Sequence, residues 1–225
     1  MVKNRKKSWF VLLFMLLIAG CDRDKTDVEY VEQAKHYQDA GEMAKAGIEL
    51  KNALRVNPNN GEARRLLGML YLTIGNGEGA EKELQRAIDL KISYQAVALP
   101  LLRSVYLQRD YRRMLQQIKM PEGLDRESQA EWYVLRGRAR IEMGQLIDAR
   151  AEFAAAAKVA PESKQVLLGR SLDAFYSKNY EGAEKLLDFA LNKDPKFAEA
   201  LTLKGDILRL QGKLQEAEAL YTSAI

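Results

Sequence analysis

The sequence predicts an all-α solenoid of antiparallel helix pairs, because one short motif recurs at a nearly constant interval. In this motif an alanine is followed by a large apolar residue four positions later and by a second alanine seven positions later. The first alanines of successive copies are 34, 69, 34 and 34 residues apart, so one degenerate unit is expected within the interval of 69. The five copies occupy residues 46–53, 80–87, 149–156, 183–190 and 217–224.

Glycines and prolines keep the same phase as the motif. A glycine stands five residues before the first alanine in four copies, and a proline stands five residues after the second alanine in three copies. Glycine is common where a helix ends in a left-handed residue and proline cannot continue a helix, so each unit is predicted to run as helix, turn, helix and stop. The glycines are Gly41, Gly75, Gly144 and Gly212, and the prolines are Pro58, Pro161 and Pro195.

The motif also indicates how the helices pack. Steps of four and three residues place its three side chains on one face of a helix. Small side chains let a second helix approach closely, and because one pair cannot cover its own apolar face, neighbouring pairs have to stack. The alternative is a helical bundle without repeats, which five copies in phase disfavour.

This pattern resembles the tetratricopeptide repeat, and the resemblance implies a right-handed superhelix of helix pairs with a concave groove. We expect the last unit to be incomplete, because it stops inside its second helix without a polar capping helix. The residues are therefore expected to be the N-terminal part of a longer chain. The units are placed at 27–60, 61–94, 95–129, 130–163, 164–197 and 198–225.

The third unit, residues 95–129, is the degenerate one. It lacks the alanine motif and carries Pro100 where its first helix is expected. A proline inside a helix costs about 3 kcal/mol unless it lies in the first turn, so we expect this helix to start late, near Pro100. Residues 109–111 are interpreted as the turn between its two helices, and the second helix is expected to stop before Pro121.

The first 20 residues have the features of a secretory signal peptide. Four basic residues precede an apolar run, residues 9–19, that is about half as long as a membrane-spanning helix. Residues 18–21 resemble the lipobox of bacterial lipoproteins, which implies cleavage before Cys21, a lipid on its thiol and a tether over residues 21–26. The location implied is the envelope of a Gram-negative bacterium, facing the periplasm, with the inner or outer membrane undecided. The alternatives are a structural cysteine after an ordinary signal, or an uncleaved anchor.

The net charge of +4 comes from this leader. The sequence has 35 basic and 31 acidic residues, and four of the basic ones lie in the first 20 residues, which contain no acid. The remaining chain is neutral, whereas nucleic-acid binders usually keep a basic surplus on their folded part. We therefore expect no nucleic-acid partner.

The sequence offers few groups for catalysis. Cys21 is the one cysteine and His36 the one histidine, so a disulfide within the chain and a cysteine-based zinc site are excluded. The glycine-rich stretch 75–79 follows a predicted helix and lacks the lysine of a phosphate-binding loop. We expect no enzymatic activity, no metal, no cofactor and no small-molecule substrate.

The resemblance to tetratricopeptide proteins also implies a binding site. In that family the first helices of the units line the concave groove, which holds proteins or peptide segments. Arginines interleaved with aromatic side chains suit an extended peptide that carries acidic groups. The alternative is that several of these side chains pack between helices or face water. The residues predicted to line the groove include Arg65, Met69, Arg103, Tyr106, Arg138, Phe175, Tyr176 and Arg209.

The local sequence of the first units narrows the resemblance. The leader runs into Gln33-Ala34-Lys35, and the segments 48–54, 57–64, 67–68 and 99–102 follow. This combination is similar to the PrsT family, large tetratricopeptide lipoproteins that accompany the PEP-CTERM/exosortase sorting system and exopolysaccharide genes. The resemblance implies an interaction scaffold in exopolysaccharide production or export and in PEP-CTERM protein sorting. Two alternatives stay open: an accessory lipoprotein of pilus, outer-membrane or secretion assembly, and the binding region of a chain with a further catalytic domain.

Overall fold

The computed structural model describes residues 25–224, and the regular elements in that range are α-helices. The predicted signal peptide, residues 1–20, and Cys21 lie outside the described residues. Between residues 25 and 224 no helix is long and apolar enough to cross a bilayer. The helices are α1 (Asp27–Asp39), α2 (Met43–Val56), α3 (Gly61–Thr73), α4 (Gly77–Asp89), α5 (Tyr94–Leu107), α6 (Tyr111–Gln117), α7 (Arg126–Glu142), α8 (Leu146–Val159), α9 (Lys164–Tyr176), α10 (Tyr180–Lys193), α11 (Ala198–Leu210) and α12 (Leu214–Ser223).

Short polar side chains determine where many of these helices begin. Thr26 and Glu29 form a capping box at the start of α1, in which each side chain bonds the backbone N–H of the other residue. Asn60 and Asn76 accept hydrogen bonds from the amides three residues later and so cap α3 and α4. The polar residues between the apolar stretches therefore set the helix boundaries.

The turn inside each unit holds one residue in the left-handed conformation. Six such residues follow one another at intervals of 34 residues, or 35 across the third unit. The interval of 69 residues between two copies of the motif is two periods of 34 plus one residue, and this extra residue lies between Arg109 and Gly144. Four of the six are glycines, for which this conformation is not strained, while Arg109 and Lys178 adopt it with φ of 58° and 59°. The glycines are Gly41, Gly75, Gly144 and Gly212.

The helices stack in sequence order. Each odd-numbered helix packs against the even-numbered helix that follows it, and each pair packs against the next. The core is accordingly a row of small clusters, each shared by neighbouring units. One joins Leu50 of α2 to Leu67 of α3, and another joins Phe153 of α8 to Val134 of α7 and Val166 of α9. The motif alanines of the first four copies are buried, as small residues at a close helix contact should be.

Pro100 lies inside α5 and not near its start. The helix begins at Tyr94, capped by Ser93, and continues through Pro100, so the expected late start is wrong. Proline has no N–H to donate to the carbonyl of Ala96, and one helical hydrogen bond is lost. The flanking residues Leu99, Leu101 and Leu102 are buried, and this burial offsets the loss. The next first helix also differs from the prediction: α7 begins at Arg126 and not at residue 130.

The third unit carries large residues in both helices where the other units carry small ones. In the second, fourth and sixth units a glycine of the first helix faces a large residue of the second, as Gly68 faces Leu84. In the third unit the position of that glycine is occupied by Leu102, which is fully buried. The second helix, α6, has seven residues and contributes Met114, five residues after Arg109, where the other units have an alanine. The bulk that a longer second helix supplies elsewhere thus comes from Leu102 and Met114.

Candidate binding groove

The odd-numbered helices from α3 to α11 form one surface. Successive members of this row contact each other across the unit boundaries. Three cavities follow one another along the surface and share lining residues. The first and second share Leu72 and Arg103, and the second and third share Arg138 and Glu199. We call this continuous surface the groove, and number its cavities from the N-terminal end.

The first cavity has a volume of about 340 Å³ and lies mainly between α3 and α5. Met69 and Arg103 line it, together with the ring of Pro100. Arg65 lies beside it, because its guanidinium approaches the sulfur of Met69 at 3.1 Å. The same guanidinium donates two hydrogen bonds of 2.8 Å to the carboxylate of Glu62. This end of the groove therefore combines an apolar thioether with a charge that is already paired.

The second cavity, of about 230 Å³, is bordered by two arginines and two glutamates. Arg103 holds Glu131 with both arms of its guanidinium, at 2.5 and 2.6 Å. The guanidinium of Arg138 lies 5.1 Å from the ring centroid of Tyr106, a cation–π distance. Arg138 also approaches Glu199 of α11 at 3.6 Å, so one ion pair joins the fourth unit to the sixth.

The third cavity, of about 400 Å³, lies between α7, α9 and α11. Its floor is apolar, with Leu168, Leu172 and Leu203 contributed by two helices. Phe175 and Tyr176 stand above this floor, with ring centroids 5.3 Å apart and an interplanar angle of 81°. Edge-to-face packing of this kind holds the Tyr176 ring in a fixed orientation.

The four arginines predicted to line the groove each have an acidic neighbour. This pairing removes much of the positive charge on which the interpretation in terms of acidic peptides depended. The sequence analysis considered the arginines without the carboxylates beside them. The pairs are Arg65 with Glu62, Arg103 with Glu131, Arg138 with Glu199, and Arg209 with Asp206.

The structure brings six of the eight predicted residues to the three cavities. Arg65 touches Met69 from the side, and Arg209 lines none of the three. The six are Met69, Arg103, Tyr106, Arg138, Phe175 and Tyr176.

Four carboxylates of the groove were missed by the sequence prediction. Glu142 stands one repeat of 34 residues before Tyr176, and Asp206 stands two repeats after Arg138. Glu131 and Glu199 likewise occupy one equivalent position two repeats apart. The repeat therefore contained the signal that locates them, and the prediction failed because only arginines and aromatic residues were selected.

Tyr176 in the third cavity has two carboxylates as neighbours. Burial raises the pKa of the Tyr176 hydroxyl, and the nearby carboxylates of Glu142 and Asp206 raise it further. At the other end of the groove, the hydrogen bond from Arg65 lowers the pKa of Glu62, although the partial burial of this carboxyl acts in the opposite direction. Tyr176 is thus a neutral phenol at neutral pH, beside carboxylates that favour a positive neighbour.

Groups suited to metal binding are not found in the described part of the chain. Between residues 25 and 224 no three or more histidine, cysteine or acidic side chains are arranged to hold an ion. His36 lies on α1, with its ring 6.4 Å from that of Tyr37.

Two family models described as tetratricopeptide repeat match the chain. One covers residues 33–91, within the first two units, and the other covers residues 168–225, within the last two. This chain is an all-α tetratricopeptide-repeat solenoid. Human mitochondrial import receptor subunit TOM70 is 28% identical to it over 176 residues, which are 73% of this chain and 29% of that protein. The tetratricopeptide solenoid thus spans less than a third of the length of that curated relative.

Solved structures similar to this tetratricopeptide solenoid agree in fold. PilF of Pseudomonas aeruginosa superposes with a TM-score of 0.60 at 18% identity, covering 86% of this chain and 88% of PilF. PilW, described as a type IV pilus biogenesis factor, gives 0.57 at 14% identity and covers 86% and 90%. YrrB, described as a tetratricopeptide protein with an unusual peptide-binding site, gives 0.52 at 19% identity and covers 78% and 90%. Identities this low extend the likeness to the fold alone.

Proposed function

We propose that this tetratricopeptide protein is a lipid-anchored scaffold of the bacterial cell envelope, which holds polypeptide segments of other proteins in its groove. The observation that carries the binding role is the row of three connected cavities on the odd-numbered helices. Aromatic and aliphatic side chains that border such cavities are the usual anchor points for an extended peptide. The paired charges between them provide hydrogen-bonding groups without a large excess of either sign.

A photo-crosslinking experiment tests the groove. A benzoylphenylalanine in place of Tyr106, which lines the second cavity, is expected to form adducts with partner proteins in cells. The matched control is the same residue in place of Ile147, which is 86% exposed and lines none of the three cavities. Identification of the adducts by mass spectrometry checks the result. Equal crosslinking from both positions, or none from Tyr106, would contradict the groove as the binding site.

The anchor is proposed from the leader. Cys21→Ser is expected to move the protein from the membrane fraction to the soluble fraction and to change its electrophoretic mobility, because the thiol carries the lipid. Stable anchoring takes more than one acyl chain, and all chains depend on the modified cysteine. Asp24→Ser in the tether is the matched control and should leave the protein in the membrane fraction. If Cys21→Ser protein still sediments with membranes at unchanged mobility, the chain is not a lipoprotein.

The cellular setting is proposed from the PrsT resemblance. We place the scaffold in exopolysaccharide production or export and in sorting of PEP-CTERM proteins. A second candidate is an accessory role in pilus or outer-membrane assembly. PilW, described as a type IV pilus biogenesis factor, has the same fold, and at 14% identity it supports this candidate no further than the fold. Gene deletion separates the two, since loss of secreted polysaccharide supports the first and loss of pili supports the second.

A further inference from the structure

The third cavity has a shape that suits a long, narrow side chain. Its floor consists of core leucines, of which Leu168 is 1% and Leu203 is 7% exposed. Tyr176 at its edge is 45% exposed, so part of the ring is free to contact a ligand. A side chain with an apolar stem and a polar end would fill such a space from floor to rim, as the stems of lysine and arginine do on other apolar surfaces.

The charge of the lining favours a cation. Three carboxylates and one arginine border the cavity. The charge of Arg138 is matched by Glu199 at 3.6 Å, and its guanidinium lies toward Tyr106 in the second cavity. Of the other two carboxylates, Asp206 has the guanidinium of Arg209 at 3.8 Å, and Glu142 has no cationic partner in the described part of the chain. An anionic group placed here would meet like charges, which disfavours acidic segments.

The two remaining carboxylates differ in their partners. Glu142 is exposed at the end of α7 and makes no ion pair with the part of the chain described. Asp206 accepts a hydrogen bond of 2.9 Å from the hydroxyl of Tyr221. The guanidinium of Arg209 also lies 3.8 Å from Asp206, about as far as Arg138 lies from Glu199, and is 57% exposed. Glu142 is therefore the freer of the two to pair with an incoming charge.

We propose that the third cavity binds a lysine or arginine side chain of an extended partner segment, with its stem against Tyr176 and its charge facing Glu142 and Asp206. This inference rests on the proposed scaffold function and specifies the chemistry of its partner. The ring of Tyr176 adds a cation–π contact. The raised pKa of Tyr176, part of which comes from the same two carboxylates, is consistent with a negative potential at this point.

The rest of the groove favours a polypeptide over a free cation. The second cavity continues directly from the third, because both contain Arg138 and Glu199. Its two arginines and two glutamates balance, so it offers no second site for an unpaired charge. A segment with one basic residue in the third cavity can extend its neighbouring residues into the second.

The test uses the full chain, purified in detergent, and fluorescence anisotropy with labelled peptides. The probes are extended decapeptides of alternating serine and leucine that differ in one central residue: arginine, lysine, norleucine or glutamate. The arginine and lysine peptides are expected to bind about tenfold more tightly than the norleucine peptide, and the glutamate peptide more weakly still. Glu142→Gln, Asp206→Asn and Tyr176→Leu should each reduce the preference for the basic peptides over the norleucine peptide.

Glu218→Gln is the matched control, because it makes the same charge change on an exposed residue that lines none of the cavities. It should leave all four affinities unchanged. Equal binding of the norleucine and arginine peptides, tighter binding of the glutamate peptide, or no binding of any peptide would overturn the inference. Competition by spermidine at the same concentration as the arginine peptide would identify a free-cation site and would also overturn it. The crosslinking from Tyr106 decides the scaffold function separately and stands or fails independently of these outcomes.

Discussion

Gly137→Ala is expected to lower the free energy of unfolding by about 2 kcal/mol, although alanine is the better helix former. A Cβ on residue 137 would lie 2.4 Å from Cε1 and 2.8 Å from Cδ1 of Phe153. The ring has little room to retreat, because Gly169 of the next unit faces it at a similarly close distance, 2.8 Å for its own added Cβ. Overpacking at such a contact costs about 3 kcal/mol, against about 1 kcal/mol gained in helix propensity. Urea denaturation measures the difference in the free energy of unfolding between variant and original protein, given the same dependence of that free energy on urea concentration.

Gly47→Ala is the matched control in α2. There the added Cβ would meet Leu70 at 3.7 Å, an ordinary contact, so the propensity gain of up to about 1 kcal/mol should appear without strain. Opposite signs for the two substitutions are the expected result. Equal shifts of the two midpoints would show that close helix contact at Gly137 does not limit the side chain there.

Glu83→Ala is expected to lower the free energy of unfolding by about 3 kcal/mol. Its carboxylate accepts a hydrogen bond of 2.6 Å from Arg64, and the two side chains are 9% and 15% exposed. Removing it would leave a buried guanidinium whose Nε already has no hydrogen-bond partner in the described part of the chain. An uncompensated buried charge of this kind costs about 3 to 5 kcal/mol. Thermal or urea unfolding measures the loss.

Glu32→Ala provides the comparison on an exposed pair. Glu32 contacts Lys35 at 2.9 Å, and its side chain is 65% exposed, so its loss should change stability by about 0.5 kcal/mol or less. The double variant Arg64→Met and Glu83→Leu should recover most of the stability, because neither charge remains to be buried. Similar midpoints for Glu83→Ala and Glu32→Ala would show that the buried pair has no special role.

The regular units could be predicted from the sequence because each rule acts locally. Alanines mark the close helix contacts, and Gly41 and Gly75 mark the left-handed turns. The third unit could not be predicted in this way, because its packing depends on a compensation between helices. Leu102 takes the place of a glycine only because α6 is short, and α5 continues through Pro100 only because the leucines around it are buried. Neither condition is visible in a local pattern.

The sequence predicted which surface the candidate groove residues share, and it did not predict how their charges are paired. The repeat placed Arg103, Arg138 and Tyr176 on one surface, since equivalent residues of stacked units face the same way. The pairing of Arg103 with Glu131 joins residues 28 positions apart, and that of Arg138 with Glu199 skips a whole unit. Such pairs depend on the curvature of the stack, which the spacing of one motif does not contain.

Equivalent positions along the groove carry different side chains, so the two ends of the groove are chemically distinct although the helices repeat. Arg138 and Asp206 occupy the same place two units apart, and Glu142 and Tyr176 the same place in adjacent units. A chain laid along the groove and shifted by one unit would bring its basic residue opposite a different set of groups, and a chain laid in reverse would misplace every neighbour of that residue. The repeated helices form the groove, and the side chains that line it determine the register and the direction in which a polypeptide binds.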